Sequence, residues 1–222
     1  MTELSTQEQT RLKLPPFGKW YAGTDSQKRM LEHYNEKAGL ALAWDTASKH
    51  KMFGIHYQSP FELMHLLLDI PVAFRHGYEL LVENVPCKAY ADVEWEGQPE
   101  PDHATLQRLV AAIRQKARDA HSIEPKIYVC CGTRPTKDDP AILKHSYHIA
   151  IDNLIFERNN DGQMKAFFTT IPDFTWLDGV EEKAMIDPRV YTRNRNFRLP
   201  HCTKAGSVVP LLRYSQKIRS HL

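Results

Sequence analysis

Two stretches of this chain alternate in polarity residue by residue, and that alternation restricts its fold more than any other feature. They are Ala91-Asp92-Val93-Glu94-Trp95 and Lys144-His145-Ser146-Tyr147-His148-Ile149. Successive side chains on a strand point to opposite faces of the sheet. Asp92 and Glu94 therefore share one face, while Ala91, Val93 and Trp95 share the other and can form core. In the second stretch Lys144, Ser146 and His148 share a face, and Tyr147, Ile149 and Ile151 line the opposite one.

The remaining elements follow from local signals. A helix is expected over 25–37, capped at Asp25 or Ser26, and a buried one after Ser59-Pro60. A third helix is expected after Asp102, with Leu106, Leu109, Val110, Ile113 and Ala117 at 3.6-residue spacing. A short helix is expected over 163–170. Strands are expected over 40–44, 52–57, 77–83, 88–95, 126–131 and 145–152, with an extended segment over 190–199. The first sixteen residues end in Pro15-Pro16 and read as an arm or a frayed helix. The chain is thus expected to be α+β, with an arm over 1–16, one module over 17–86 and a second over 87–222. Its 222 residues, 42% hydrophobic and 25% charged, suffice for such a core.

Several function classes are disfavoured. No run approaches about 18 apolar residues, so no spanning helix and no membrane partner are expected. The first residues lack an apolar signal core, and the four cysteines form no C-x-x-C pair. Both point to a reducing, intracellular setting, with nucleus, mitochondrion, bacterial cytoplasm and viral replication site left undistinguished. No Walker A, H-E-x-x-H or G-x-S-x-G motif occurs, which weakens NTPase, zincin and α/β-hydrolase readings.

Charge is unevenly placed. Eight of the 29 Lys and Arg fall between Pro188 and Leu222, where there is no Asp or Glu. The rest of the chain carries 21 basic against 27 acidic residues. A basic tail on an acidic body suggests a polyanion partner, although a solvated basic face is the commoner fate of such runs.

Three constellations carry chemistry. Asp92 and Glu94 on one face repel each other unless a cation joins them, and hard oxygen ligands favour Mg²⁺ or Mn²⁺. The alternative is an exposed polar strand face. Lys144, Ser146 and His148 form a ladder of donors suited to phosphate oxygens, although His148 alone would read as a core histidine. The third runs from Asp187 through Arg189, Arg193, Arg195, Asn196 and Arg198 to Lys204. Arg195 and Arg198 can serve one ligand only if the strand bends between them. From charge alone Asp187 reads as a structural ion pair rather than a third metal ligand. Together, acids beside phosphate donors meet the need of two-metal nucleotidyl transfer.

At these residues the chain resembles the archaeo-eukaryotic primase superfamily, most closely the primase-polymerases called PrimPol. The family's D-x-E matches Asp92 and Glu94. Its S-x-H, with a Lys two before the Ser, matches Ser146, His148 and Lys144. Its third motif matches D-P-R-V-Y-T-R-N-R-N-F-R-L from Asp187 to Leu199. The segment from His76 to Trp95 also looks like the family stretch leading into D-x-E. The resemblance spans roughly residues 50 to 205.

The resemblance implies a small α/β N-module and an RRM-like catalytic module. It implies Asp92, Glu94 and Asp187 as catalytic metal ligands, against the ion-pair reading of Asp187. It places Lys144, Ser146, His148, Arg198 and Lys204 on the incoming triphosphate. Arg195 and Asn196 lie toward nucleotide or template, and Tyr78 lies near the sugar. Implied partners are NTP or dNTP, single-stranded or primed template DNA, and replication proteins such as a helicase or a single-strand-binding protein. The family's added zinc domain has only His201, Cys202 and His221 as counterparts near Lys204, so no zinc is expected in this chain. That puts extension ahead of de novo priming. A non-catalytic strand-binding RRM-like module and a metal-dependent nuclease are the competing readings.

Overall fold

The computed structural model describes residues 4–12, 14–21, 23–35, 39–46, 50–160, 162–178 and 181–214. In chain order the elements are α1 (Thr6–Arg11), β1 (Lys19–Tyr21), α2 (Ser26–His33), β2 (Leu40–Asp45), β3 (Lys51–His56), α3 (Pro60–Asp69) and β4 (Gly77–Leu81). Then come β5 (Cys87–Gly97), α4 (Ala104–His121), β6 (Ile127–Cys131), β7 (Arg134–Pro135), β8 (Leu143–Phe156) and α5 (Gln163–Thr169). The last are β9 (Thr175–Asp178), β10 (Glu181–Ala184), β11 (Arg195–Arg198) and β12 (Leu212–Arg213). The fold is α+β with antiparallel sheets. No described helix is long and apolar enough to cross a membrane.

The chain forms two compact units, Met1–Val82 with Asn194–Leu211, and Glu83–Arg193 with Leu212–Leu222. This differs from the expected division into 17–86 and 87–222. Residues 194–211 belong with the first unit because β11 pairs along β4, Arg195 opposite Leu81 and Arg198 opposite Tyr78.

The first unit is built on a sheet of order β1-β3-β2-β4-β11. Alternation along β2 sends Leu42 and Trp44 to one side and Ala41 and Ala43 to the other. Leu42 and Trp44 pack with Trp20, Met52 and, from α3, Leu63 and Leu67. Ala41 and Ala43 pack with Tyr21, Phe53, Ile55 and, from α2, Met30. Gly54 is required in β3, since a Cβ there would sit 2.7 Å from the Trp20 ring and 2.8 Å from the Lys19 carbonyl. Of the two readings of this N-terminal stretch, the short helix is found among the described residues, as α1. Leu4 and Leu14 are buried in the Trp20 cluster, and α1 between them is closed by a Ser5–Glu8 capping box.

The second unit is built on a sheet of order β12-β6-β8-β5, with β7 added to β8. Ala91, Val93, Trp95, Tyr147, Ile149 and Ile151 are all buried, as the alternation requires. Helix α4 buries Leu106, Leu109, Val110, Ile113 and Ala117, the expected stripe. It lies on the apolar side of the sheet: His103, just before it, hydrogen-bonds the Tyr147 hydroxyl at 2.7 Å. Asp102 does not cap this helix. The Glu100 carboxylate accepts from the Thr105 N–H instead, because Asp102 sits in a preceding 3-10 turn with φ 52°. The extended reading of 190–199 also changes. Pro188–Val190 is a 3-10 turn, Asn194 has φ 48°, and only Arg195–Arg198 is strand. Helix α2 stops at His33, and the expected 36–37 end lies outside the described residues. The β9–β10 hairpin was not expected.

Helix α3 begins as its sequence requires. The Ser59 hydroxyl accepts from the Glu62 N–H, the Glu62 carboxylate accepts from the Ser59 N–H, and Pro60 fills the first turn. Ser59→Ala is expected to cost about 1 kcal/mol of stability, read as a lower urea midpoint for unfolding.

Candidate functional site

In the second unit β5 and β8 pair with Asp92 opposite His148, Glu94 opposite Ser146 and Glu96 opposite Lys144. Directly opposed residues of an antiparallel pair project to the same side. The acids of one strand and the donors of the other therefore occupy one face. On the next strand, β6, Cys130 lies opposite His148.

Asp187 joins this face from the other edge of β5. Val93 bridges Ile186, the Asp187 N–H donates to the Asp92 carbonyl at 2.9 Å, and the Glu94 N–H donates to the Met185 carbonyl at 2.8 Å. Cys130, His148, Asp92 and Asp187 thus form one row across four strand segments. Two tyrosines lock the segment after Asp187 onto β5. The Tyr90 hydroxyl donates to the Val190 carbonyl at 2.9 Å, and the Tyr191 hydroxyl donates to the Tyr90 carbonyl at 3.0 Å. Burial pushes the Tyr191 phenol well above its ordinary range, with Tyr90, Asp92 and Asp187 adding to the effect. It stays a neutral donor.

The three carboxylates are partly buried, with side-chain exposures of 18% for Asp92, 28% for Glu94 and 22% for Asp187. Each meets a basic group. Lys144 Nζ lies 2.9 Å from Glu94 Oε2, and Ser146 Oγ donates to Glu94 Oε1 at 3.5 Å. His148 Nε2 lies 3.8 Å from Asp92 Oδ1. Arg189 donates from Nε to Asp187 Oδ1 at 2.9 Å and from Nη2 to Oδ2 at 3.3 Å. Asp187 raises the Arg189 pKa through that hydrogen bond and its charge, with Glu94 and Asp92 contributing further. The field of all three acids reaches one cation. Among the described residues no group of three or more His, Cys, Asp and Glu side chains is placed to hold a metal ion. The donor set is nevertheless chemically suited to one: three oxygen acids gathered on one face, two of them paired with cationic side chains whose place a divalent ion can take.

The nucleotide-contact candidates Tyr78, Arg195, Asn196, Arg198 and Lys204 belong to the first unit. Strands β4 and β11 put Arg198 opposite Tyr78. Arg198 is 5% exposed. β11 runs without a bend, so Arg198 and Asn196 share a face while Arg195 takes the opposite one. The condition under which both arginines could serve one ligand is not met within this strand. Lys204 is exposed in the turn closed by the Ser207 N–H on its carbonyl.

Tyr78 is held by residues that sequence reasoning did not select. Its hydroxyl donates to Asp45 Oδ2 at 2.8 Å, and Lys51 Nζ, 2.5 Å from Asp45 Oδ1, lies 3.9 Å from the ring centroid. Burial and then the Asp45 hydrogen bond raise the Tyr78 phenol above its ordinary range. Cys130 was also missed, though its alternation with Tyr128 along β6 carried the signal. No protein-family model matches this chain, and no curated protein sequence matches it.

The thiols differ in burial. Cys87, Cys130 and Cys131 are half-buried, whereas Cys202 is fully buried and burial pushes its pKa up to about 11 against the weaker pull of Gly77, Arg75 and Arg198. Iodoacetamide at pH 8 is expected to label Cys202 at least roughly a hundredfold more slowly than an ordinary thiol, because its thiolate fraction is that much smaller. Peptide mapping of the native protein measures this, and equal labelling of Cys202 and Cys87 would contradict the burial.

Proposed function

We propose that the chain is a DNA-directed nucleotidyltransferase, a primase-polymerase that makes or extends primers from NTP or dNTP. The second unit is its RRM-like catalytic module. The observation that carries this reading is the register of β5 on β8, with Asp187 bonded beside Asp92. The element order supports it. Apart from the two-residue β7 and the β9–β10 hairpin, strand, helix, strand, strand and helix are followed by the segment at Met185–Asp187, which bridges to the outer edge of β5. Across the sheet the sequence is β6, β8, β5 and then that segment, the order of an RRM-like βαββαβ unit.

Asp92, Glu94 and Asp187 would hold Mg²⁺ or Mn²⁺. When bound, such ions lower the pKa of an attacking 3′-hydroxyl and neutralise a leaving pyrophosphate. The chain's own donors do the rest. Lys144, Ser146 and His148 stand in a row on the acid face and exchange their carboxylate partners for phosphate oxygens, a charge-assisted contact. By the resemblance, Tyr78, Asn196, Arg198 and Lys204 of the first unit contact nucleotide, whereas Arg195, on the opposite face of β11, does not share their ligand. A donor set of this kind favours synthesis over strand cleavage.

Extension of a primed DNA template with labelled nucleotide and Mn²⁺ tests the reading. Asp92→Ala with Glu94→Ala should remove at least about a thousandfold of the incorporation while circular dichroism stays unchanged. Wild-type incorporation by that variant would end the assignment. Shortening of a labelled strand in the absence of nucleotides would indicate a nuclease instead. Arg198→Ala should raise the KM for nucleotide by about tenfold or more, the loss of one charged hydrogen bond.

A further inference from the structure

We propose that Tyr128 and Arg213 form a stacking site for a base of single-stranded nucleic acid, on the sheet face that carries the acids. Tyr128 precedes Cys130 by two residues on β6 and so shares the face of Cys130, His148 and Asp92. It is 46% exposed. Its neighbour on β8 is Ala150, too small to cover the ring. Strand β12 sets Arg213 opposite Cys130, and the Arg213 guanidinium carbon lies 5.6 Å from the Tyr128 ring centroid.

The surroundings select the occupant. Lys126, exposed and two residues before Tyr128, has its carbonyl bonded by the Asp152 N–H at 2.9 Å. Lys88 reaches Asp152 Oδ1 at 2.5 Å, and the charge of Lys126 acts on the same carboxylate. Lys88, Lys126 and Arg213 outnumber the Asp152 carboxylate beside an open aromatic ring. A polyanion satisfies the charge, a flat base satisfies the ring, and a single strand offers both at a repeating interval. Two strands and two residues separate Tyr128 from Asp92, about 12 Å by sheet geometry. One or two nucleotides span that distance. A strand held at Tyr128 would run toward the acids, so the site deepens the nucleotidyltransferase reading and rests on it only for the strand's direction.

Strand binding by the full chain, without metal or nucleotide, tests the site independently of turnover. The probe is a fluorescein-labelled twelve-nucleotide oligo(dT), followed by anisotropy at several salt concentrations. Tyr128→Ala should weaken binding about tenfold, and Tyr128→Phe, which keeps the ring, should stay within about twofold of wild type. Arg213→Ala should weaken binding and lower the salt slope by about one. The inference is overturned if wild type does not bind or if Tyr128→Ala binds as tightly as wild type. It is equally overturned if a duplex of the same length binds as well, which would mean phosphate attraction without stacking. A chain that binds the strand through Tyr128 but incorporates nothing would sink the polymerase reading and leave this one standing.

Discussion

The pairing of β5 with β8 is the constraint on which the candidate site depends. Ala91, Val93 and Trp95 are buried on one side of β5, so Asp92 and Glu94 have no freedom to turn away from the other. Their charge must be answered on that face, and β8 answers it from directly opposite with His148 and Ser146 and from one step along with Lys144. A one-residue slip would send every one of these groups into the core, where an unpaired charge is prohibitively costly. Core packing and site geometry are therefore a single requirement.

The same economy holds at the edge of β5. Asp187 reaches the acid face because main-chain bonds tie its segment to β5 and because, behind it, the Tyr90 hydroxyl bonds the Val190 carbonyl and the Tyr191 hydroxyl bonds the Tyr90 carbonyl. Both phenols are buried. Arg189 then draws on the combined field of the three acids. Asp187 is both the ion pair that its charge suggests and a neighbour of Asp92, and the two descriptions do not compete.

The basic motif that reads as one string is divided by the fold. Arg193 falls in the second unit and pairs with Glu83 at 3.0 Å, whereas Arg195 to Arg198 complete the sheet of the first unit. Tyr78 and Arg198 come together only through β4 and β11, more than a hundred residues apart in sequence. Asp45 and Lys51, which fix Tyr78, carry no motif of their own, and nothing local marks them.

Period-two and 3.6-residue patterns were enough to locate most strands and helices, the faces of β5 and β8, and the stripe of α4, because each depends on residues a few positions apart. Ser59-Pro60 likewise announced its helix, since a cap acts within one turn. Register, the neighbour of Asp187, and the burial of Leu4 and Leu14 were not legible in this way. Each depends on which distant segment supplies hydrogen bonds or apolar cover. Tyr128 marks the boundary between the two. Its alternation along β6 was visible in the chain, but the small Ala150 beside it and the Arg213 cation over its ring were contributed by strands that only folding brought alongside.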